Sequence, residues 1–165
     1  MGTSNPTLYS SRIDLSTDIR TGVVTALSQT LVDTIDLKTQ VKQAYWNVKG
    51  MNFYQLHSLF DEMASELEEY VDMVAERITA LGAIAYGTAR VAASQSSLPE
   101  YPLDATSGEA HVTALAERYA AYAKHVREAI ATTDDLGDSD TADLYTEISR
   151  AVDKRLWFLE AHLDG

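Results

Sequence analysis

The sequence predicts an all-α fold, a four-helix bundle with one long crossover between its second and third long helices. Three observations carry this. Four long segments repeat apolar residues at helical intervals, no segment alternates with period two for long, and the three prolines all fall outside the periodic stretches. At 165 residues the chain has room for one domain, with enough apolar surface to fold without metals or disulfides as staples.

The first segment runs from about Ser16 to Gly50, with Ile19, Val23, Leu27, Leu31, Ile35 and Val41 at three- to six-residue intervals and Gly50 as its stop. The second, Asn52 to Gly82, has the strongest helical pattern: Leu56, Leu59, Phe60, Met63, Leu67, Tyr70, Val71, Val74, Ile78 and Leu81. Thr106 with Glu109 forms a capping-box pattern for the third, which carries Val112, Leu115, Tyr119, Tyr122, Val126 and Ile130 before Gly137 ends it. The fourth starts at Ser139 or Asp140 and carries Leu144, Ile148, Val152, Leu156, Leu159 and Leu163 almost to the carboxyl end. Very short links join the first helix to the second and the third to the fourth, so each pair is expected to be antiparallel. Residues 83–105 are too many for a tight turn, so they are expected to form a strap along the bundle, with a short helix near Thr88 to Ala93. This up-down-down-up order with a single long crossover is the ferritin-like topology, here expected over residues 16–165 behind an N-terminal tail of residues 1–15.

A net charge of −12 argues against nonspecific nucleic-acid binding, whose affinity comes mainly from Lys and Arg at phosphates, and favours cations as guests. Only Arg12 and Arg20 precede Lys38, so no basic amino-terminal tail offsets the acidic body. No window approaches the ~18 consecutive apolar residues of a membrane span. The absence of cysteine and of a secretory pattern in the first 20 residues leads us to expect a cytoplasmic protein.

The second segment carries His57, Asp61, Asp72 and Glu76, residue types that bind borderline or hard metals. At about 100° per residue they fall near 0°, 40°, 60° and 100°, which is one helix face. Yet Asp61 and Asp72 lie about 16 Å apart along the axis, too far to share a metal within one helix. Positions 57 and 76, like 61 and 72, are symmetric about the same midpoint. An antiparallel copy of the helix would therefore set His57 opposite Glu76 and Asp61 opposite Asp72, and a twofold dimer contact would create two equivalent metal sites at once. The plain alternative is a solvated face, since Glu62, Glu66, Glu68 and Glu69 crowd the same helix. An intrachain di-iron centre of the usual bundle kind is excluded, because no Glu-x-x-His occurs anywhere in the chain.

These residues sit in a longer run of ordered matches: Lys42-Gln43-Ala44-Tyr45-Trp46-Asn47-Val48-Lys49-Gly50, Asn52-Phe53, Leu56-His57, Phe60-Asp61-Glu62, Asp72-Met73-Val74-Ala75-Glu76-Arg77-Ile78 and Leu81-Gly82. Leu98-Pro99-Glu100-Tyr101-Pro102-Leu103-Asp104 in the strap matches too, as do Asp153-Lys154 and Leu156-Trp157-Phe158-Leu159-Glu160. In these the chain resembles the Dps family, the DNA-binding proteins from starved cells, over nearly its whole length. The resemblance implies a twelve-subunit shell with dinuclear ferroxidase centres at its twofold interfaces. His57 and Asp61 would come from one subunit and Asp72 and Glu76 from its partner, with Glu76 bridging two irons. The implied reaction is oxidation of Fe²⁺ by hydrogen peroxide, or by oxygen, followed by ferric mineral growth in the cavity, with zinc a candidate competitor for the donors.

One position departs from the family pattern. Where the family has a second ligand histidine directly before the Trp, this chain has Tyr45, and a neutral phenol is a poor Fe²⁺ ligand. Tyr45 is thus an open ligand candidate, and Trp46 beside it is a candidate electron donor, with packing at a subunit contact as its alternative role. His111, His125 and His162 are read as surface or packing residues. Asp134, Asp135, Asp138, Asp140 and Asp143 crowd the link between the third and fourth helices. Helix capping accounts for Asp138 or Asp140. The resemblance puts Asp135, Asp140 and Asp143 near threefold pores that would concentrate Fe²⁺. Without lysine-rich tails, DNA binding is expected to be weak or absent. A shell that sequesters metal or condenses DNA, its centre impaired by Tyr45, is the alternative function.

Overall fold

A computed structural model describes residues 6–164 of the chain. Five helices follow in order: α1 (Thr17–Asn47), α2 (Phe53–Ala80), α3 (Ala89–Gln95), α4 (Gly108–Leu136) and α5 (Ser139–Glu160). Among the described residues there is no strand, only an isolated bridge between Lys49 and Ser107. The long helices α1 and α2 pack as one pair and α4 and α5 as the other, α1 meets α4 across the bundle, and α3 lies against α1. Leu27, Leu31, Phe60, Met63, Leu67, Ile78, Leu115 and Ile148 fill the space between them, each almost fully removed from water. The expected bundle with one crossover and a short helix in it is the architecture found.

The helix ends show where local chemistry shifts a boundary. Ser16 caps α1, its hydroxyl accepting the Ile19 N–H at 3.3 Å. That helix stops at Asn47, three residues before the expected stop, because Val48 is already extended, and Gly50 lies in the turn. Thr88, the expected start of the short helix, caps α3 through its hydroxyl, so the helix itself begins one residue later at Ala89. For α4 the cap is Ser107, which accepts the Ala110 N–H at 3.1 Å, not Thr106 as the capping-box pattern suggests. The Thr106 carbonyl accepts instead from the Lys49 N–H at 3.0 Å, a link across the chain that carries the extended backbone one residue further. Gly137 then ends α4 in the left-handed region at φ 96°.

Two of the phenols buried in the bundle pair with threonines. Tyr122 bonds Thr34 and Tyr145 bonds Thr30, each at 2.7 Å, and burial pushes both phenols well above their ordinary pKa. The crossover is fastened to α1: the buried Asp33 carboxylate accepts from the Ser97 N–H at 2.8 Å and its hydroxyl at 2.9 Å, and Gln40 donates to the Pro99 carbonyl at 3.1 Å. Of the expected tail, residues 1–5 lie outside the described residues, as does Gly165 at the end of the expected domain. Residues 6–15 dock on the bundle, where the Tyr9 N–H donates to the Gly82 carbonyl at 2.7 Å and the Arg20 guanidinium donates to the Tyr9 and Leu81 carbonyls. Gly82 has φ 91°, and a β-carbon there would approach the Tyr9 carbonyl oxygen to 2.7 Å, so this contact requires glycine.

Candidate metal centre

Helix α2 divides its residues between two faces. Leu56, Phe60, Met63, Leu67, Val74 and Ile78 point into the core, while Asp61, Asp72 and Glu76 are exposed and His57 is half-buried. The common face expected from the 100° repeat is therefore an outward one. Among the described residues neither Asp72 nor Glu76 has a partner for its carboxylate, and no three His, Asp or Glu side chains converge as one chain's metal site. A single chain thus offers donors in two separate groups, at the two ends of one helix face.

At the amino-terminal end, His57 is held from three sides. Its Nδ1 lies 2.8 Å from the Tyr45 carbonyl, which can only accept, so Nδ1–H donates and the lone pair is left on Nε2. A second-shell carbonyl of this kind is the usual means of orienting a metal-binding imidazole. The Tyr45 ring stacks on the imidazole at 3.9 Å between centroids and 15° between planes, and Phe53 stacks less closely at 5.0 Å and 29°. Tyr45 therefore acts on His57 twice, through its carbonyl and through its ring.

Lys42 adds a cation to this group. Its ammonium lies 3.8 Å from the centroid of the Tyr45 ring, 5.8 Å from that of Trp46, and 3.3 Å from an Asp61 carboxylate oxygen. Trp46 is 67% exposed, so it is no part of its own chain's core. Lys38 pairs with Glu68 on the same side of α2. Lys42 and Phe53 were not singled out by sequence reasoning. The position of Lys42 three and four residues before Tyr45 and Trp46 was a signal that it shares their face, but its pairing with Asp61 joins two helices and leaves no trace along the chain.

The acidic turn separates into one structural carboxylate and several free ones. Asp138 is 2% exposed; it caps α5 by accepting the Thr141 N–H at 3.1 Å, and both its oxygens accept from the Arg77 guanidinium at 2.9 and 3.0 Å. Burial alone would push its carboxyl up, but the Thr141 hydroxyl and N–H and the Arg77 guanidinium together hold it below the ordinary range. Asp134, Asp135, Asp140 and Asp143 stay exposed. Of the other histidines, His111 is buried with Nδ1 at 2.6 Å from the Tyr101 hydroxyl, and burial lowers its pKa. His125 is half-buried and His162 exposed.

The model of the ferritin-like domain matches residues 24–165. A DNA protection during starvation protein of Agrobacterium fabrum is 39% identical over 155 residues, covering 94% of this chain and 96% of that one. This chain belongs to the Dps family. Among solved structures, DpsC from Streptomyces coelicolor superposes with a TM-score of 0.92 at 32% identity, covering 96% of this chain and 93% of that one. A tetragonal form of Mycobacterium smegmatis Dps gives 0.92 at 29% identity, with 96% of each chain covered. The Dps fold here thus presents the candidate donors outward from α2, with Tyr45 packed on His57. Among its described residues no helix is long and apolar enough to cross a membrane.

Proposed function

We propose that this protein is an iron-storing mini-ferritin of the cytoplasm, in which twelve copies form a shell and Fe²⁺ is oxidised at centres shared between twofold-related subunits. The supporting observation is the outward, palindromic set on α2, which is unpartnered at Asp72 and Glu76 and supplies too few donors for a metal within one chain. Brought against a second copy head to tail, His57 and Asp61 meet the partner subunit's Glu76 and Asp72. One nitrogen and three carboxylates suit Fe²⁺, and the same set suits Zn²⁺, which would compete.

Each of two bound Fe²⁺ ions gives one electron to hydrogen peroxide, whose O–O bond breaks so that both oxygens end at the oxidation level of water. Oxygen could replace peroxide as the acceptor. His57 would supply the lone pair on Nε2, and Asp61, Asp72 and Glu76 would hold the ions and offset the growing charge. Trp46, next to Tyr45, would supply a further electron to peroxide when Fe²⁺ is short. Asp135, Asp140 and Asp143 would draw Fe²⁺ toward an opening of the shell. The Fe³⁺ product then mineralises inside, which removes both partners of the radical-forming reaction and protects against oxidative damage.

The test is size followed by chemistry. The protein should elute at about twelve times 18.1 kDa and oxidise Fe²⁺ in peroxide pulses after anaerobic loading. His57→Ala and Glu76→Gln should each slow the reaction by about a hundredfold, the scale of losing a metal ligand or its support. A monomer, or unchanged rates in both variants, overturns the reading. A second reading, a shell that sequesters metal or condenses DNA without efficient oxidation, is favoured by one observation: Tyr45 stacks on His57 and so brings no second imidazole to the centre. Peroxide-dependent oxidation separates the two.

A further inference from the structure

We propose that His111, in the first turn of α4, is a positioning residue of the candidate centre: it holds the end of α1 where that helix stops, so that the Tyr45 carbonyl stays free to orient His57. The inference rests on the shared centre proposed above and adds a residue outside the donor set that decides how His57 meets a metal.

The Tyr45 carbonyl is available because α1 ends two residues later, at Asn47. In a continuing helix it would accept from the N–H four residues on, that of Lys49. The Val48 N–H still closes on the Ala44 carbonyl at 3.0 Å, but the Lys49 N–H donates to the Thr106 carbonyl, also at 3.0 Å. Tyr45 is thus the first carbonyl of the last turn left without a helical partner, and His57 Nδ1 takes it at 2.8 Å. One more turn of α1 would return that carbonyl to Lys49. His57 would then lose the acceptor that places its lone pair on Nε2.

Besides the Thr106 link, α4 brings His111 to the same helix end. The ring is 1% exposed, and its Nδ1 lies 2.6 Å from the Tyr101 hydroxyl, with the two rings 14° from parallel. Nε2 is buried without a formed hydrogen bond, yet the Asn47 backbone is near enough to favour the charged ring, which only its carbonyl can do. Nε2–H therefore points at that carbonyl, and Nδ1 accepts from the Tyr101 O–H. Tyr101 is seated in the crossover by Arg118, whose guanidinium lies 5.5 Å from its ring and donates to the neighbouring Glu100 carbonyl. Arg118 pairs with Glu117, and among the described residues no carboxylate pairs with His111, so burial favours the neutral ring. A neutral imidazole accepts on one side and donates on the other, which is what joining the crossover to α1 through one side chain requires.

Solid-state ¹⁵N NMR of the metal-free, full-length protein, labelled at histidine, tests this without iron chemistry. At pH 7 His57 should show one tautomer, protonated at Nδ1, and His111 the other, protonated at Nε2. His111→Met fills the space and removes both polar contacts. His57 should then populate both tautomers, and Co²⁺, titrated by calorimetry without oxidant, should bind about tenfold more weakly, as when a ligand loses its supporting group. His111→Gln, which keeps an acceptor for Tyr101 and a donor for Asn47, should restore both readings. An unchanged His57 signal in folded His111→Met overturns the proposal. So does a native His57 protonated at Nε2, a result independent of how any variant folds. His57→Ala and Glu76→Gln separate the two levels. If both bind Co²⁺ normally, the shared centre is wrong and the role of His111 falls with it; if they lose Co²⁺ while His111→Met behaves as native, only the role of His111 falls.

Discussion

Replacing Asp138 should destabilise the fold more than any other single change in the acidic turn, and the structure sets the size of the effect. Its carboxylate is 2% exposed, caps α5 through Thr141 and bonds both oxygens to Arg77, which is itself only 19% exposed. Asp138→Ala removes a helix cap, about 1 kcal/mol. It also removes charge-assisted hydrogen bonds and leaves Arg77 partly desolvated, about 2 kcal/mol more. Arg77→Met should cost about 3 kcal/mol, because it strands the carboxylate with Thr141 alone. For a chain of this length, that lowers the thermal midpoint by roughly 10 °C, read by calorimetry at one fixed protein concentration because assembly contributes to the midpoint. The pH dependence is the sharper readout. Because the native fold holds the Asp138 carboxyl below its ordinary range, its ionised form stabilises the fold above about pH 4 and that stabilisation is lost as pH falls further. The gap between native and Asp138→Asn should therefore be wide at pH 7 and smaller at pH 3. A gap of equal width at both, or additive effects of Arg77→Met and Asp138→Asn, would refute the assignment.

Three further outcomes bear on function. Tyr45→His should raise Fe²⁺ occupancy in anaerobic titration and speed the first oxidation phase by about tenfold, since it restores an imidazole donor where a phenol now stacks; equal occupancy and rates would count against a weakened position. Asn at Asp135, Asp140 and Asp143 together should slow mineral growth several-fold and leave single-turnover oxidation as it is, because these side chains are exposed and far in sequence from the α2 donors. In a mobility-shift assay at neutral pH and moderate salt the protein should leave DNA unshifted, as a chain of net charge −12 with no lysine before Lys38 implies; a tight complex would refute that.

The helices were readable because burial imposes its period on the chain, and the errors at their ends are those of residues that answer to another segment. Thr106 has the side chain of a cap, but its carbonyl is taken by Lys49, and Ser107 caps in its place. Similarly, five aspartates in ten residues look alike in sequence, yet only Asp138 is drawn inward, because Arg77 reaches it from α2. Lys42 on Asp61 is the same case at the candidate metal centre, since which side chains meet between α1 and α2 depends on how the helices are rotated about their axes. The four donors of α2 behave differently. In the proposed dimer their contact would be with a copy of the same helix, and a twofold axis would map each position onto a counterpart in the identical sequence. A contact between α1 and α2 constrains two unrelated stretches, whereas a twofold contact constrains one stretch against its own reversal. That is why the proposed site, which no single chain would complete, can be written along one helix, as equal spacings on either side of a midpoint between Glu66 and Leu67.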